Sequence, residues 1–127
     1  MTTLYIANAF SPSMIAFSDY LGPVANLNFV QIPLRRAVEI VREQETLEQE
    51  SLHQYPTSHE VESCVGHANT AAVFSSLLET EVPMNRVSVK LGPNDRMIVG
   101  TPNIRLPEGA TELPEGTQIT WLLVEYN

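Results

Sequence analysis

Short apolar runs alternate along this chain with longer segments of helical period. Thr3-Leu-Tyr-Ile-Ala-Asn8 gathers β-branched and aromatic residues and predicts a first strand. Ser11 followed by Pro12 has the character of a helix start, so a short helix to about Phe17 is expected. Val24–Ile32 alternates at Leu27, Phe29 and Gln31 and predicts a second strand. After Pro33, apolar residues at Leu34, Ala37, Val38 and Val41 lead into a Glu/Gln-rich stretch to Glu50, the pattern of an amphipathic helix with a solvated tail. Ser51–Pro56 reads as a loop. Thr57-x-x-Glu60 is a capping-box pattern before Val61, Val65, Ala68 and Ala72, and predicts a helix to about Thr80 with a break at Gly66 near His67.

Beyond Pro83 the period changes to two. Arg86-Val-Ser-Val-Lys-Leu91 alternates strictly, Gly92-Pro-Asn-Asp95 carries turn chemistry, and Arg96-Met-Ile-Val-Gly-Thr101 follows, which predicts a hairpin. Pro102–Gly116 holds three Pro and two Gly and reads as loop, and Gln118–Glu125 as a last strand. The expectation is α/β: a single compact domain over 1–127, with a mixed sheet of about five strands and flanking helices.

Composition narrows the function. The 127 residues are 43% hydrophobic, which fits one globular core and excludes wholesale disorder. A single cysteine excludes a disulfide framework and a zinc site built on paired thiolates. No apolar run reaches the roughly 18 to 20 residues of a membrane span. The N-terminus lacks basic residues before Leu4 and its apolar run is broken at Asn8 and Ser11, unlike a signal peptide, so a cytoplasmic location is expected. A net charge of −8 argues against duplex DNA as a partner. Six of the seven basic residues are Arg, however, and Arg86, Lys90, Arg96 and Arg105 fall outside the acidic stretch from Glu39 to Glu62, leaving room for a local anion pocket.

Three features could carry chemistry. Gly66-His67 couples a backbone that a ligand can approach to a side chain able to exchange a proton near neutrality; it also suits an ordinary surface or core-edge histidine. Arg105-Leu-Pro-Glu108 places a phosphate clamp three residues from a carboxylate that could orient a sugar hydroxyl; it equally describes a surface ion pair worth about 0–1 kcal/mol. Asn8-Ala-Phe-Ser11 lies at a strand end, where α/β proteins commonly place ligands, although a cap and a turn explain it too. His59, Cys64 and His67 make a poor metal set. On an unbroken helix their offsets turn through roughly 500° and 800° and spread them over about 140°, and no recognised metal motif occurs.

These features occur together and in the order of one family. Leu4-Tyr-Ile-Ala-Asn-Ala-Phe-Ser11, Gly66-His67, Asn85-Arg86-Val-Ser-Val-Lys-Leu91, Arg105-Leu-Pro-Glu108-Gly109 and the closing strand Ile119–Tyr126 resemble the viral and CRISPR-associated ring nucleases, the anti-CRISPR family that counters type III immunity. The resemblance implies an α/β homodimer that binds cyclic tetraadenylate at the subunit interface and cleaves it without metal or cofactor. It implies catalytic roles for His67 and Glu108, phosphate binding by Arg105, ligand-lining positions at Asn8, Ser11 and Gly66, and a more distant basic contact from Arg86. Two departures stand out. The region from Leu27 to Ser58, which carries the acidic helix, is longer than in compact viral members, and Pro107 stands where those members usually have a second Glu.

Overall fold

A computed structural model of the chain describes residues 2–11, 14, 27–50, 59–92 and 94–126. Within them lie five strands, β1 (Thr2–Ala7), β2 (Leu27–Ile32), β3 (His59–Ser63), β4 (Arg96–Pro102) and β5 (Ile119–Tyr126), and two helices, α1 (Leu34–Glu50) and α2 (Ala68–Leu78). The strands form one mixed sheet in the order β2-β5-β4-β1-β3. β1 runs parallel to both β3 and β4, whereas β5 runs antiparallel to β4 and β2. This is the single α/β domain with a mixed five-stranded sheet that the hydrophobic pattern leads one to expect.

Period-two alternation sorts the strand side chains onto two buried faces. On one, Leu4, Ile6, Ile98 and Trp121 pack against Ala37, Ile40 and Val41 of α1 and against Ala71, Phe74 and Leu78 of α2. On the other, Ala7, Met97, Val99 and Val124 are covered by Val89 and Leu91 of the segment that precedes β4, with Phe10 and Met14 alongside. β1 and β4 are therefore buried on both sides, as central strands of near-continuous apolar sequence should be. The open edge at β2 is different, since Phe29 is 52% and Val30 49% exposed.

A buried amide joins helix to sheet. Gln44 of α1 is only 2% exposed, and its Nε2 donates to the carbonyls of Thr2 (3.3 Å) and Glu60 (3.2 Å) while its Oε1 accepts from Arg96 Nη2 (3.1 Å). One side chain thus ties together the starts of β1, β3 and β4. Such a satisfied polar group costs little and fixes register, whereas an unpaired one would cost about 1–3 kcal/mol.

Two expectations from the pattern are corrected. The helix expected over Thr57–Thr80 is instead a strand, a linker and a helix. His59–Ser63 alternates Val61 and Ser63 with Glu60 and Glu62, and its backbone is satisfied by parallel pairing with β1. On its outer side, Glu48 of α1 accepts the Val61 N–H at 2.9 Å, which blunts the sheet edge. The second correction concerns the hairpin. Both edges of β4 are occupied, by β1 and β5, so Arg86–Lys90 crosses the sheet face as irregular chain and buries Val89. The turn itself holds, with the Asp95 N–H donating to the Gly92 carbonyl at 3.0 Å. The helix expected to Phe17 falls largely outside the described residues, as do Val24–Asn26 and the loop at Ser51–Pro56.

Gly100 lies where β4 passes beneath the two largest rings of the core. Phe74 and Trp121 meet with centroids 5.0 Å apart, and a Cβ at Gly100 would come within 2.6 Å of an atom of each ring. Gly100→Ala must displace both rings, and the expected cost is about 1–3 kcal/mol. Urea unfolding should show a lower midpoint at unchanged slope; wild-type stability would contradict this account of the core.

Candidate functional site

Because β3, β1 and β4 are parallel, their C-terminal ends share one edge of the sheet. The chain leaving β1 carries Asn8, that leaving β3 carries Gly66 and His67, and that leaving β4 carries Arg105 and Glu108. The fold itself thus collects three of the sequence motifs, in the region where parallel sheets commonly bind ligands.

The pairing of β1 with β3 continues past the strand ends. The Cys64 N–H donates to the Ile6 carbonyl at 2.9 Å, and the Gly66 N–H reaches the Asn8 Oδ1 at 3.4 Å. From the other side, the Asn85 N–H donates to the Val65 carbonyl and its Nδ2 to the Ser63 carbonyl, both at 2.8 Å. Arg86 Nε then donates to the Gly66 carbonyl at 2.7 Å. Gly66-His67 is therefore held by Asn8 on one flank and by Asn85-Arg86 on the other. A Cβ at Gly66 would meet Arg86 Cγ at an ordinary 3.6 Å, so packing within the chain does not itself demand glycine there.

His67 is extended (φ −130°, ψ 133°) and is the N-cap residue of α2, but its side chain makes no capping bond. Its carbonyl accepts the Ala71 N–H at 2.9 Å, which leaves the first-turn N–H groups of Ala68, Asn69 and Thr70 without a partner among the described residues. They add a partial positive charge suited to an anion. The loop after β4 is drawn against this turn. Asn69 Nδ2 donates to the carbonyls of Leu106 and Pro107, both at 3.2 Å, and Leu106 is buried. The loop closes as a turn from Pro107 to Ala110 (N–H to carbonyl 3.1 Å), with Gly109 at φ +81°.

Between the helix start and this loop lies an open cleft of about 1270 Å³, with His67, Arg86, Arg105 and Glu108 all in its lining. All four residues are exposed, and no ion pair engages either Arg among the described residues. The Arg105–Glu108 pair is thus a cleft feature and not a closed surface ion pair. Asn8 and Gly66, expected to line the ligand, are not in the cleft lining of the single chain; they bond to each other next to His67. Ser11 is not in the cleft lining of the single chain; its carbonyl accepts the Met14 N–H at 2.9 Å. Hydrophobic pattern alone did not single out Asn69, nor Met84 and Ile104, which line the same cleft at 52% and 53% exposure. Apolar side chains set among Pro and Asn in irregular chain are the signal that could have drawn attention to the last two.

Among the described residues no group of three or more His, Cys, Asp and Glu side chains could hold a metal ion, and no helix is long and apolar enough to cross a membrane. His59 shares a 2.8 Å hydrogen bond with Thr2 Oγ1 at the opposite end of β3 from His67.

The comparisons agree with this architecture. The family model described as STIV B116-like matches residues 4–120, and the chain belongs to that family. It is 30% identical over 83 residues to "Uncharacterized protein 26" of Sulfolobus islandicus filamentous virus (isolate Iceland/Hveragerdi), covering 65% of this chain and 70% of that one. Its fold is similar to that of B116 of Sulfolobus turreted icosahedral virus, with a TM-score of 0.71 at 20% identity over 97% of this chain and 98% of the other. The family is one of viral proteins, and the structural likeness speaks to the fold.

Cys64, the one thiol, lies outside the cleft lining and donates to the Ile6 carbonyl at 3.4 Å. Burial pushes it from an ordinary 9.0 up to about 11, with Glu62 adding to the shift. Only the thiolate is nucleophilic, so iodoacetamide at pH 8 should modify Cys64 about 100-fold more slowly than an ordinary thiol. The rate should climb about tenfold per pH unit until near 11. The folded state favours the neutral thiol, so the same shift weakens the fold as pH rises above 9. A plateau in alkylation rate near pH 9 would contradict this environment.

Proposed function

We propose that the protein is a metal-independent ring nuclease that binds cyclic tetraadenylate and cleaves it into short linear oligoadenylates ending in 2′,3′-cyclic phosphate, so damping type III CRISPR signalling. The observation that carries this reading is the convergence of His67, Arg86, Arg105 and Glu108, remote in sequence, on one open cleft at an uncapped helix N-terminus. These are four of the seven positions the ring-nuclease resemblance marks. Relatives from viruses of Sulfolobus fit a role that benefits an infecting virus.

The chemistry needs little beyond positioning. A ribose 2′-hydroxyl attacks the neighbouring phosphorus in line, Glu108 takes its proton, and the bond from phosphorus to the 5′-oxygen breaks. Protonated His67 gives its proton to the departing 5′-oxygen, which would otherwise leave as a poor alkoxide. Arg105 and the first-turn N–H groups of α2 balance the negative charge on the phosphoryl oxygens. Arg86, with one nitrogen engaged by Gly66, supplies a further cation. Asn8 acts through the Gly66 backbone. In this reading the protein is a homodimer with the ring at the subunit interface. A two-fold pair offers the same cleft to each half of the ring and doubles the Arg residues near it, so the local positive charge at the ring rises although each chain carries −8.

Incubation of the wild-type protein with labelled cyclic tetraadenylate in EDTA should yield linear products. His67→Ala should retain binding and lose turnover by about 10²- to 10⁴-fold, while Arg105→Ala should weaken affinity. Tight binding without linear product over hours would make the protein a sequestering sink instead. Cleavage by His67→Ala at the wild-type rate would remove the general acid.

A further inference from the structure

We infer that Asn69 is a positioning residue of this site: its amide fixes the loop bearing Arg105 and Glu108 to the helix turn bearing His67. The inference rests on the ring-nuclease reading and adds to it a residue that touches no reacting atom. Its basis is geometric. Nδ2 of Asn69 donates to two successive carbonyls, those of Leu106 and Pro107 at 3.2 Å each, and these are the two residues between Arg105 and Glu108. Asn69 is also two residues after His67, within the first turn of α2. A single planar amide therefore spans the gap between the proposed acid and the proposed phosphate clamp.

The remaining ties of this loop lie further from Arg105 and Glu108. Its neck is closed by the Asn103 N–H on the Gln118 carbonyl (2.8 Å) and the Gln118 N–H on Asn103 Oδ1 (3.0 Å). Its far limb is held by Ser76 Oγ donating to the Thr111 carbonyl at 3.3 Å. Between these anchors the buried Leu106 side chain and the Asn69 amide hold the segment with Arg105 and Glu108 against α2. Pro107 contributes no N–H, so its carbonyl and that of Leu106 supply two of the three backbone polar groups of this stretch, and Asn69 engages both. The tie needs a donor at position 69, which the Asn side-chain NH₂ supplies. A carboxylate at position 69 would face both carbonyls with oxygens and push the loop away, whereas Ala is a good helix former and removes the tie while leaving α2 intact.

Displacement of about 1 Å at such a site can cost on the order of 100-fold in rate. Asn69→Ala and Asn69→Asp should lower the single-turnover rate on cyclic tetraadenylate by about 10- to 100-fold, with Asp the worse, while thermal unfolding stays near wild type. The dissociation constant for the ring, measured in the His67→Ala background, should change less than the rate. Amide hydrogen exchange without nucleotide reads the tie independently of activity: buried Leu106 and Ala110, whose N–H bonds the Pro107 carbonyl, should exchange faster in Asn69→Ala, with β1, β4 and the body of α2 unchanged. Wild-type exchange in this loop would overturn the physical tie. Faster exchange with wild-type turnover would overturn the positioning role. If the wild-type protein does not cleave the ring, the catalytic reading fails and the positioning role with it, even where exchange reports the tie.

Discussion

The architecture depends on β1 running parallel to two neighbours at once. An antiparallel partner on either side would send its following loop to the far end of the sheet. With β3 and β4 both parallel to β1, three chain exits share an edge, and residues as remote in sequence as Ala7 and Val99 become neighbours. Gln44 secures the opposite edge, where it bonds the starts of the same strands, so the register that gathers the cleft is held from a buried point in α1. The site is remote from this clamp and yet set by it.

At the cleft itself, the chain uses backbone groups more than side chains. Asn8, Asn85 and Asn69 each commit an amide to main-chain partners, the first two on the exit of β3 and the third on the loop after β4. His67, Arg105 and Glu108 are left exposed and without side-chain partners among the described residues, which suits groups meant for a ligand. The arrangement also reconciles an acidic chain with an anionic ligand. Arg36 and Arg42 are engaged by Glu39, Glu43 and Glu79 on the outer surface, whereas Arg86 and Arg105 meet no carboxylate among the described residues. Local charge at the cleft thus differs in sign from the net charge.

Much of the fold was legible because burial on one or two faces imposes a period. The runs at β1, α1, β4 and β5 show it, and their boundaries fall within a few residues of expectation. The pattern failed where one spacing serves two structures. Val61, Val65, Ala68 and Ala72 recur at helical steps, yet Val61 belongs to a strand and Ala68 and Ala72 to a helix, because pairing with β1 outweighs local preference. Val87, Val89 and Leu91 alternate like a strand, yet β4 had no free edge to offer them. The site was legible only as scattered motifs. His67, Arg86, Arg105 and Glu108 could be named from the chain, but their meeting in one cleft depends on parallel topology, which spacing does not encode. Asn69 left no trace in the pattern, since a polar residue in a helix's first turn is ordinary until the loop opposite it is known.

The proposed function requires a cyclic oligoadenylate to bind in the cleft between α2 and the loop after β4. Amide chemical-shift mapping of ¹⁵N-labelled protein carrying His67→Ala, titrated with intact cyclic tetraadenylate, tests it most directly. The largest shifts are expected at Ala68–Thr70, Arg86 and Arg105–Ala110, saturating together. Shifts centred on β2 or α1, or none at all, would contradict it.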